Sequence, residues 1–214
     1  MELELRKKRA EIVLKTLKKL FPTTQSALNY SNELEFLIAV ILSAQCTDKK
    51  VNEVTEKLFK KYPTLQDYNK ADFEEFCQDI RQTGFYKNKA KNVLATTKKI
   101  AEEFNGKVPQ EMDELLTLSG VARKTANVVM GEIFGKMEGV AVDTHVIRLS
   151  QKFNLTDKQD QGKIEKDLME ILPQKEWLEF THRIIDYGRQ YSPAHKKEDN
   201  SDPVSQALLA ENLL

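Results

Sequence analysis

Lys124 and Asp143 stand nineteen positions apart, in two segments whose residue types suit them for chemistry. Lys124 lies in Leu118-Ser119-Gly120-Val121-Ala122-Arg123-Lys124-Thr125-Ala126, and Asp143 in Val142-Asp143-Thr144-His145. Residues 111–118 have helical composition, and Gly120 supplies the permissive backbone needed to reverse direction. Residues 123–134 then resume an apolar helical period through Ala126, Val129, Met130 and Ile133. The pattern predicts a helix-hairpin-helix. N–H groups around Gly120, Val121 and Ala122, with the positive end of the second helix, can hold a DNA phosphate oxygen without reading a base. Lys124 falls in the first turn of that helix, where the dipole disfavours its protonated form. A free amine there is a nucleophile. Asp143 directly precedes an amphipathic stretch (Val146, Ile147, Leu149, Phe153) and reads as its N-cap.

The elements that must position these groups are all helical, and no alternating strand pattern is present, so the fold class is all-α. Val51, Val54, Leu58 and Tyr62 share one face ended by Pro63, and Phe73, Phe76, Cys77 and Ile80 share another ended at Gly84. Ala90, Val93, Leu94, Ile100, Ala101 and Phe104 make a further helix stopped at Asn105-Gly106. Ile164, Leu168, Ile171 and Leu172 make one stopped by Pro173, and Trp177, Phe180, Ile184 and Ile185 the last long one. The apolar run over residues 36–42 is too short to cross a bilayer and reads as a buried central helix.

A chain of 214 residues with 40% apolar and 31% charged side chains can bury a substantial core. The formal net charge is zero, yet the charge is regional. Residues 1–21 carry seven basic and three acidic side chains, residues 82–107 six lysines and two glutamates, and residues 66–79 five acids and one lysine. A lone run of this kind reads as a solvated helix face; the regional pattern keeps a one-sided footprint for a polyanion open. The N-terminus mixes Glu2 and Glu4 with Arg6, Lys7, Lys8 and Arg9 without an apolar signal core, which predicts a cytoplasmic protein, nucleoid-associated in a prokaryote. Cys46 and Cys77 are the only cysteines and read as buried thiols. His182 and His195 share no ligand spacing with other metal-binding types, so no metal is assigned.

In family order, Leu42-Ser43-Ala44-Gln45-Cys46-Thr47-Asp48, Thr83-Gly84-Phe85-Tyr86-Lys87-Asn88-Lys89-Ala90, Thr125-Ala126-Asn127-Val128-Val129 and Ala141-Val142-Asp143-Thr144-His145 resemble the endonuclease III family of DNA glycosylases. The resemblance spans residues 1–191. It implies a two-lobed fold: a six-helix barrel with the helix-hairpin-helix over residues 26–137, and a second helical lobe from residues 1–25 and 138–214, with DNA across the cleft between them. It implies a bifunctional DNA glycosylase and AP lyase of base excision repair that acts on oxidised pyrimidines in duplex DNA as a monomer. Lys124 would attack the anomeric carbon from a buried, partly desolvated position, expel the base and form a Schiff base permitting β-elimination. Asp143 would deprotonate the amine or water and stabilise positive charge on the sugar. Gln45 and Phe85 would fill the hole left by an extruded base, although Phe85 could equally be core. Lys87, Lys89 and Lys91 would grip phosphates, joining Gly120, Val121, Ala122 and Arg123 at the hairpin. His145 would orient Asp143 or touch the lesion, or simply pack. The sequence is also compatible with two rival readings: a non-catalytic helix-hairpin-helix DNA-binding module, and a glycosylase or lyase for mismatched bases or abasic sites.

The chain also departs from the family. Many relatives close the C-terminal lobe with four cysteines holding a four-iron cluster; here the aligned positions fall at Ser192, Asp199, Asp202 and Leu208. A cluster that needs four thiolates is therefore not expected, so the expectation is no cofactor, with room left for a monovalent cation at the hairpin. Asp202-Pro203-Val204 leading to Ala207, Leu208, Leu209 and Leu213 instead predicts a short helix over residues 203–213, with Val204, Leu208 and Leu209 packed inward. Ser119 replaces the usual hairpin proline. Ala122 replaces a glycine and would be strained if that position needed a positive φ.

Overall fold

Short polar side chains set the helix starts. Asn32, Thr47, Asp72, Asp143, Asp160 and Asp202 each precede a helix with extended backbone and accept, through the side chain, the backbone N–H three residues on. Each cap satisfies one of the donors that a helix start leaves without an intrahelical partner. The structure, a computed structural model, describes residues 2–196 and 199–214. All regular structure among them is helical: α1 (Glu2–Leu20), α2 (Glu33–Ser43), α3 (Asp48–Lys61), α4 (Leu65–Lys70), α5 (Phe73–Asp79), α6 (Tyr86–Glu103), α7 (Met112–Leu115), α8 (Arg123–Phe134), α9 (Thr144–Lys152), α10 (Gln161–Ile171), α11 (Trp177–Gln190) and α12 (Pro203–Ala210), with short 3-10 turns between some of them. None of these helices is long and apolar enough to cross a membrane.

The chain divides into two compact units, Ser26–Lys136 and the stretch up to Gln25 joined with Met137–Leu214. In the first, α2 is the central element. Its Phe36, Leu37, Ile38, Ala39, Ile41 and Leu42 are all buried, and it packs on α3, α6 and α8. Tyr62, Tyr68 and Phe76 form an aromatic cluster in the same core, with ring centroids 5.3–6.1 Å apart. Phe73 differs from expectation: it is exposed, because it opens α5 one residue after the Asp72 cap while Phe76 and Cys77 take the inner face. Cys46 is only partly buried, whereas Cys77 is in the core. The helix α4 was not readable from apolar period, being six residues set by a Thr64–Asp67 capping box.

In the second unit, α1 lays Ala10, Val13, Leu14 and Leu17 against α10, α11 and α12. The C-terminal segment is fastened by a buried polar network. Asp202 caps α12 and accepts from the Tyr187 hydroxyl and from Ser205 N–H and Oγ, while Lys152 Nζ lies 2.8 Å from Asp202 Oδ2. The same ammonium donates to Ser192 Oγ at 3.1 Å and to the Asp199 carbonyl at 2.6 Å. Three of the four positions aligned with cluster cysteines thus surround a lysine ammonium. The fourth, Leu208, is fully buried apolar core. An oxygen-lined cation site with no thiolate does not fit a four-iron cluster.

Val204 and Leu208 of α12 are fully buried, as expected; Leu209 is not, at 44% exposure, and Ser205 faces inward instead. Burial pushes the Asp202 carboxyl up, but the hydrogen bonds from Lys152, Tyr187 and Ser205 outweigh it and hold the group below the ordinary carboxylate range. A lowered folded pKa gives stability that is complete above the unfolded value of about 3.9 and fades as pH falls through the folded one. Asp202→Ala leaves Lys152 buried without its counterion, an expected loss of about 3–5 kcal/mol. Truncation after Asn200 also removes Val204 and Leu208, so both variants should melt well below the full chain by calorimetry. An unchanged melting temperature for either would contradict this account of the segment.

Candidate active site

The hairpin is built as its residue types require. The helix α7 ends at Leu115, Val121 N–H closes a turn onto the Leu118 carbonyl at 3.2 Å, and α8 begins at Arg123. Gly120 has φ +78, and a Cβ there would stand 2.8 Å from Asn92 Nδ2, so backbone conformation and space both demand glycine. On α6, one turn beyond Asn92, Thr96 Oγ1 donates to the Ser119 carbonyl at 2.9 Å and pins the hairpin. Ala122 is extended at φ −93, so no strain attends the missing glycine. No side chain caps the start of α8. Val121 N–H is used by the turn, but the N–H groups of Gly120 and Ala122 have no hydrogen bond among the described residues. Uncapped N–H groups at the positive end of a helix form an anion-binding surface.

Lys124 sits in the first turn of α8 and is exposed, as are Ala122 and Arg123. The expectation of a buried amine is therefore corrected. A first-turn side chain next to a hairpin projects where no neighbouring helix covers it, so its desolvation must come from a ligand.

Two turns of the same unit present the candidate DNA-inserting residues. Gln45 links α2 to α3 at φ 53, and Phe85 precedes α6 at φ 48, directly after Gly84 at φ 70. Phe85 is 65% exposed, the most exposed large apolar side chain described, so the core reading fails. A left-handed aromatic residue held out in solvent is strained twice, by backbone and by hydration, and such strain clusters at ligand-contacting positions. Gln45 is exposed as well. Lys87 and Lys91 are exposed and can meet phosphates. Lys89 cannot: it is 4% exposed and donates to the Leu42 and Thr83 carbonyls, each at 2.8 Å. Sequence reasoning placed it in a basic stripe because Lys87 and Lys91 flank it, yet on a helix it faces inward beside Ala90 and Val93.

In the other unit Asp143 caps α9 with Oδ1, 2.8 Å from Val146 N. Oδ2 has no hydrogen bond among the described residues, so capping leaves a carboxylate oxygen available for chemistry. His145, half-buried, lies against α11: a Cβ on Gly188 would meet its Nδ1 at 2.4 Å. It packs on α11 through a glycine that only a missing side chain permits.

Residues 38–174 match the HhH-GPD superfamily of base excision DNA repair proteins. The sequence is 50% identical to endonuclease III of Synechocystis sp. over 191 residues, 89% of this chain and 87% of the relative. The fold is similar to that of endonuclease III in a trapped covalent DNA intermediate, with a TM-score of 0.88 and 43% identity over 92% of this chain and 93% of that one. It is equally similar to a non-covalent endonuclease III–DNA complex, with a TM-score of 0.89 and 42% identity over 94% of each chain.

Proposed function

The chain belongs to the endonuclease III family within the HhH-GPD superfamily and is a DNA glycosylase with AP lyase activity in base excision repair; from that premise we propose that it removes oxidised pyrimidines from duplex DNA and cleaves the strand through a Lys124 Schiff base. The observation that carries the proposal is the placement of Lys124. It is an exposed amine in the first turn of an uncapped helix, directly after a glycine hairpin suited to a phosphate. A ligand phosphate there would carry the adjacent sugar to the amine.

In the proposed reaction the Lys124 amine forms a bond to the anomeric carbon, and the glycosidic bond breaks with its electron pair leaving on the base. Asp143 serves as the base, for the amine or for water, and stabilises the positive charge that develops on the sugar. Ring opening gives the imine; loss of a 2′ proton then expels the 3′ phosphate and cuts the strand. Water hydrolyses the imine and frees the amine. The trapped covalent DNA intermediate of a relative supports a route through a covalent enzyme–DNA bond. Gln45 offers hydrogen bonds to the orphaned partner base, and Phe85 wedges the stack. Lys87, Lys91 and Arg123 neutralise phosphates around them. The work is assigned to the cytoplasm, at the nucleoid in a prokaryote, where duplex DNA is.

Duplexes holding thymine glycol, a uracil mismatch or an abasic site, incubated with enzyme and then borohydride, separate the substrates. Thymine glycol should be released and trapped efficiently; release of mismatched uracil alone would overturn the assignment to oxidised pyrimidines. Binding should also weaken with salt despite zero net charge, by about 0.9 log units in affinity per log unit of salt for each phosphate neutralised. A flat plot would contradict contact through the hairpin and the exposed lysines.

A further inference from the structure

The buried ammonium of Lys89 spans the bases of both inserting turns. It donates to the carbonyl of Leu42, three residues before Gln45, and to that of Thr83, two residues before Phe85. Leu42 lies in the last turn of α2, where carbonyls have no intrahelical partner, and Thr83 ends a 3-10 turn. Beyond these carbonyls each chain enters a left-handed residue and turns outward. Burial lowers the Lys89 pKa, and the Cys46 thiol, next to Gln45, is the titratable group that offsets this. A lysine buried at that cost among apolar neighbours needs a reason beyond packing, since methionine would fill the same volume.

We propose that Lys89 is a positioning residue whose ammonium ties the Gln45 and Phe85 turns into one rigid two-pronged tool, so that both side chains enter the duplex in register. The inference rests on the reading of Gln45 and Phe85 as the residues that fill the vacated hole. Among the described residues, the two strained turns at positions 42–45 and 83–85 share this one side-chain link, a single ammonium 2.8 Å from a carbonyl of each. Without it each turn can relax its left-handed residue separately, and insertion of both then requires two ordering steps instead of none.

The experiment uses a duplex with a tetrahydrofuran abasic analogue opposite 2-aminopurine, whose fluorescence rises when the partner base is unstacked, and natural abasic sites in duplex and in single-stranded DNA for cleavage. Lys89→Met should melt cooperatively, lose the fluorescence rise and cleave duplex abasic sites roughly tenfold to a hundredfold more slowly. It should cleave single-stranded abasic sites at the wild-type rate, because a single strand has no partner base and no hole to fill. Lys89→Gln serves as the second variant, with the same expectation. A folded variant with the wild-type fluorescence rise, or with equal losses on duplex and single strand, overturns the proposal. So does loss of cooperative melting in both variants, which would make Lys89 a determinant of folding alone. The Gln45→Ala/Phe85→Ala double variant separates the underlying reading: if it keeps the wild-type rise, hole filling by these residues is wrong whatever Lys89 does, and the proposal falls with it.

Discussion

Lys124→Gln is expected to abolish borohydride trapping and to lower strand cleavage at an abasic site by on the order of a thousandfold or more, while DNA binding and melting temperature should change little. The chemical loss follows from the role: a carboxamide cannot form an imine, and removing a nucleophile disables the whole catalytic unit rather than a fraction of it. The spared properties follow from the structure. Lys124 is exposed, so its replacement alters no packing and should shift stability by no more than about 0.5 kcal/mol. The phosphate binding proposed for the hairpin would rest on main-chain groups around Gly120 and Ala122, which the substitution leaves in place. Gel shift, calorimetry and a single-turnover cleavage assay report the three quantities separately.

Asp143→Asn is expected to keep the melting temperature of the parent and to lower turnover by about two to three orders of magnitude. Asparagine and aspartate are equivalent N-caps, so the hydrogen bond to Val146 N–H survives. What disappears is the charge, and a preorganised charge facing a developing cation is worth a factor of that size in comparable sites. Asp143→Ala adds the loss of the cap, about 1 kcal/mol of stability, without a further large loss of rate. The pair of substitutions divides structure from chemistry at one position. Wild-type turnover in Asp143→Asn would reduce the residue to a cap.

The helix boundaries that frame the site were legible because local chemistry sets them. The span of α8 from Arg123 to Phe134, the glycine at the turn, and the caps at Asp143 and Asp202 all follow from rules that act within a few residues. Apolar period also gave the inner faces of most helices. It failed at their rims, where one step of 100° decides the outcome: Phe73 and Leu209 look as apolar as their neighbours but lie on the solvent side. The role of Lys89 was hidden for a different reason. Its partners are carbonyls at positions 42 and 83, and no local pattern announces that a helix will bring a lysine beneath two distant turns. The exposure of Phe85 and Lys124 was equally hidden, since aromatic residues and first-turn lysines occur in both settings. Chemistry-bearing residue types were thus readable, and their surroundings only where sequence neighbours supply them.

The central claim is that one amine, on Lys124, forms the covalent bond to the damaged nucleotide. The direct measurement is to react the unaltered protein with a thymine glycol duplex, reduce with borohydride, digest, and locate the deoxyribose adduct by tandem mass spectrometry. The account predicts a single modified peptide carrying the adduct on Lys124. An adduct on the N-terminal amine or another lysine, or strand cleavage with no reducible adduct, would contradict it.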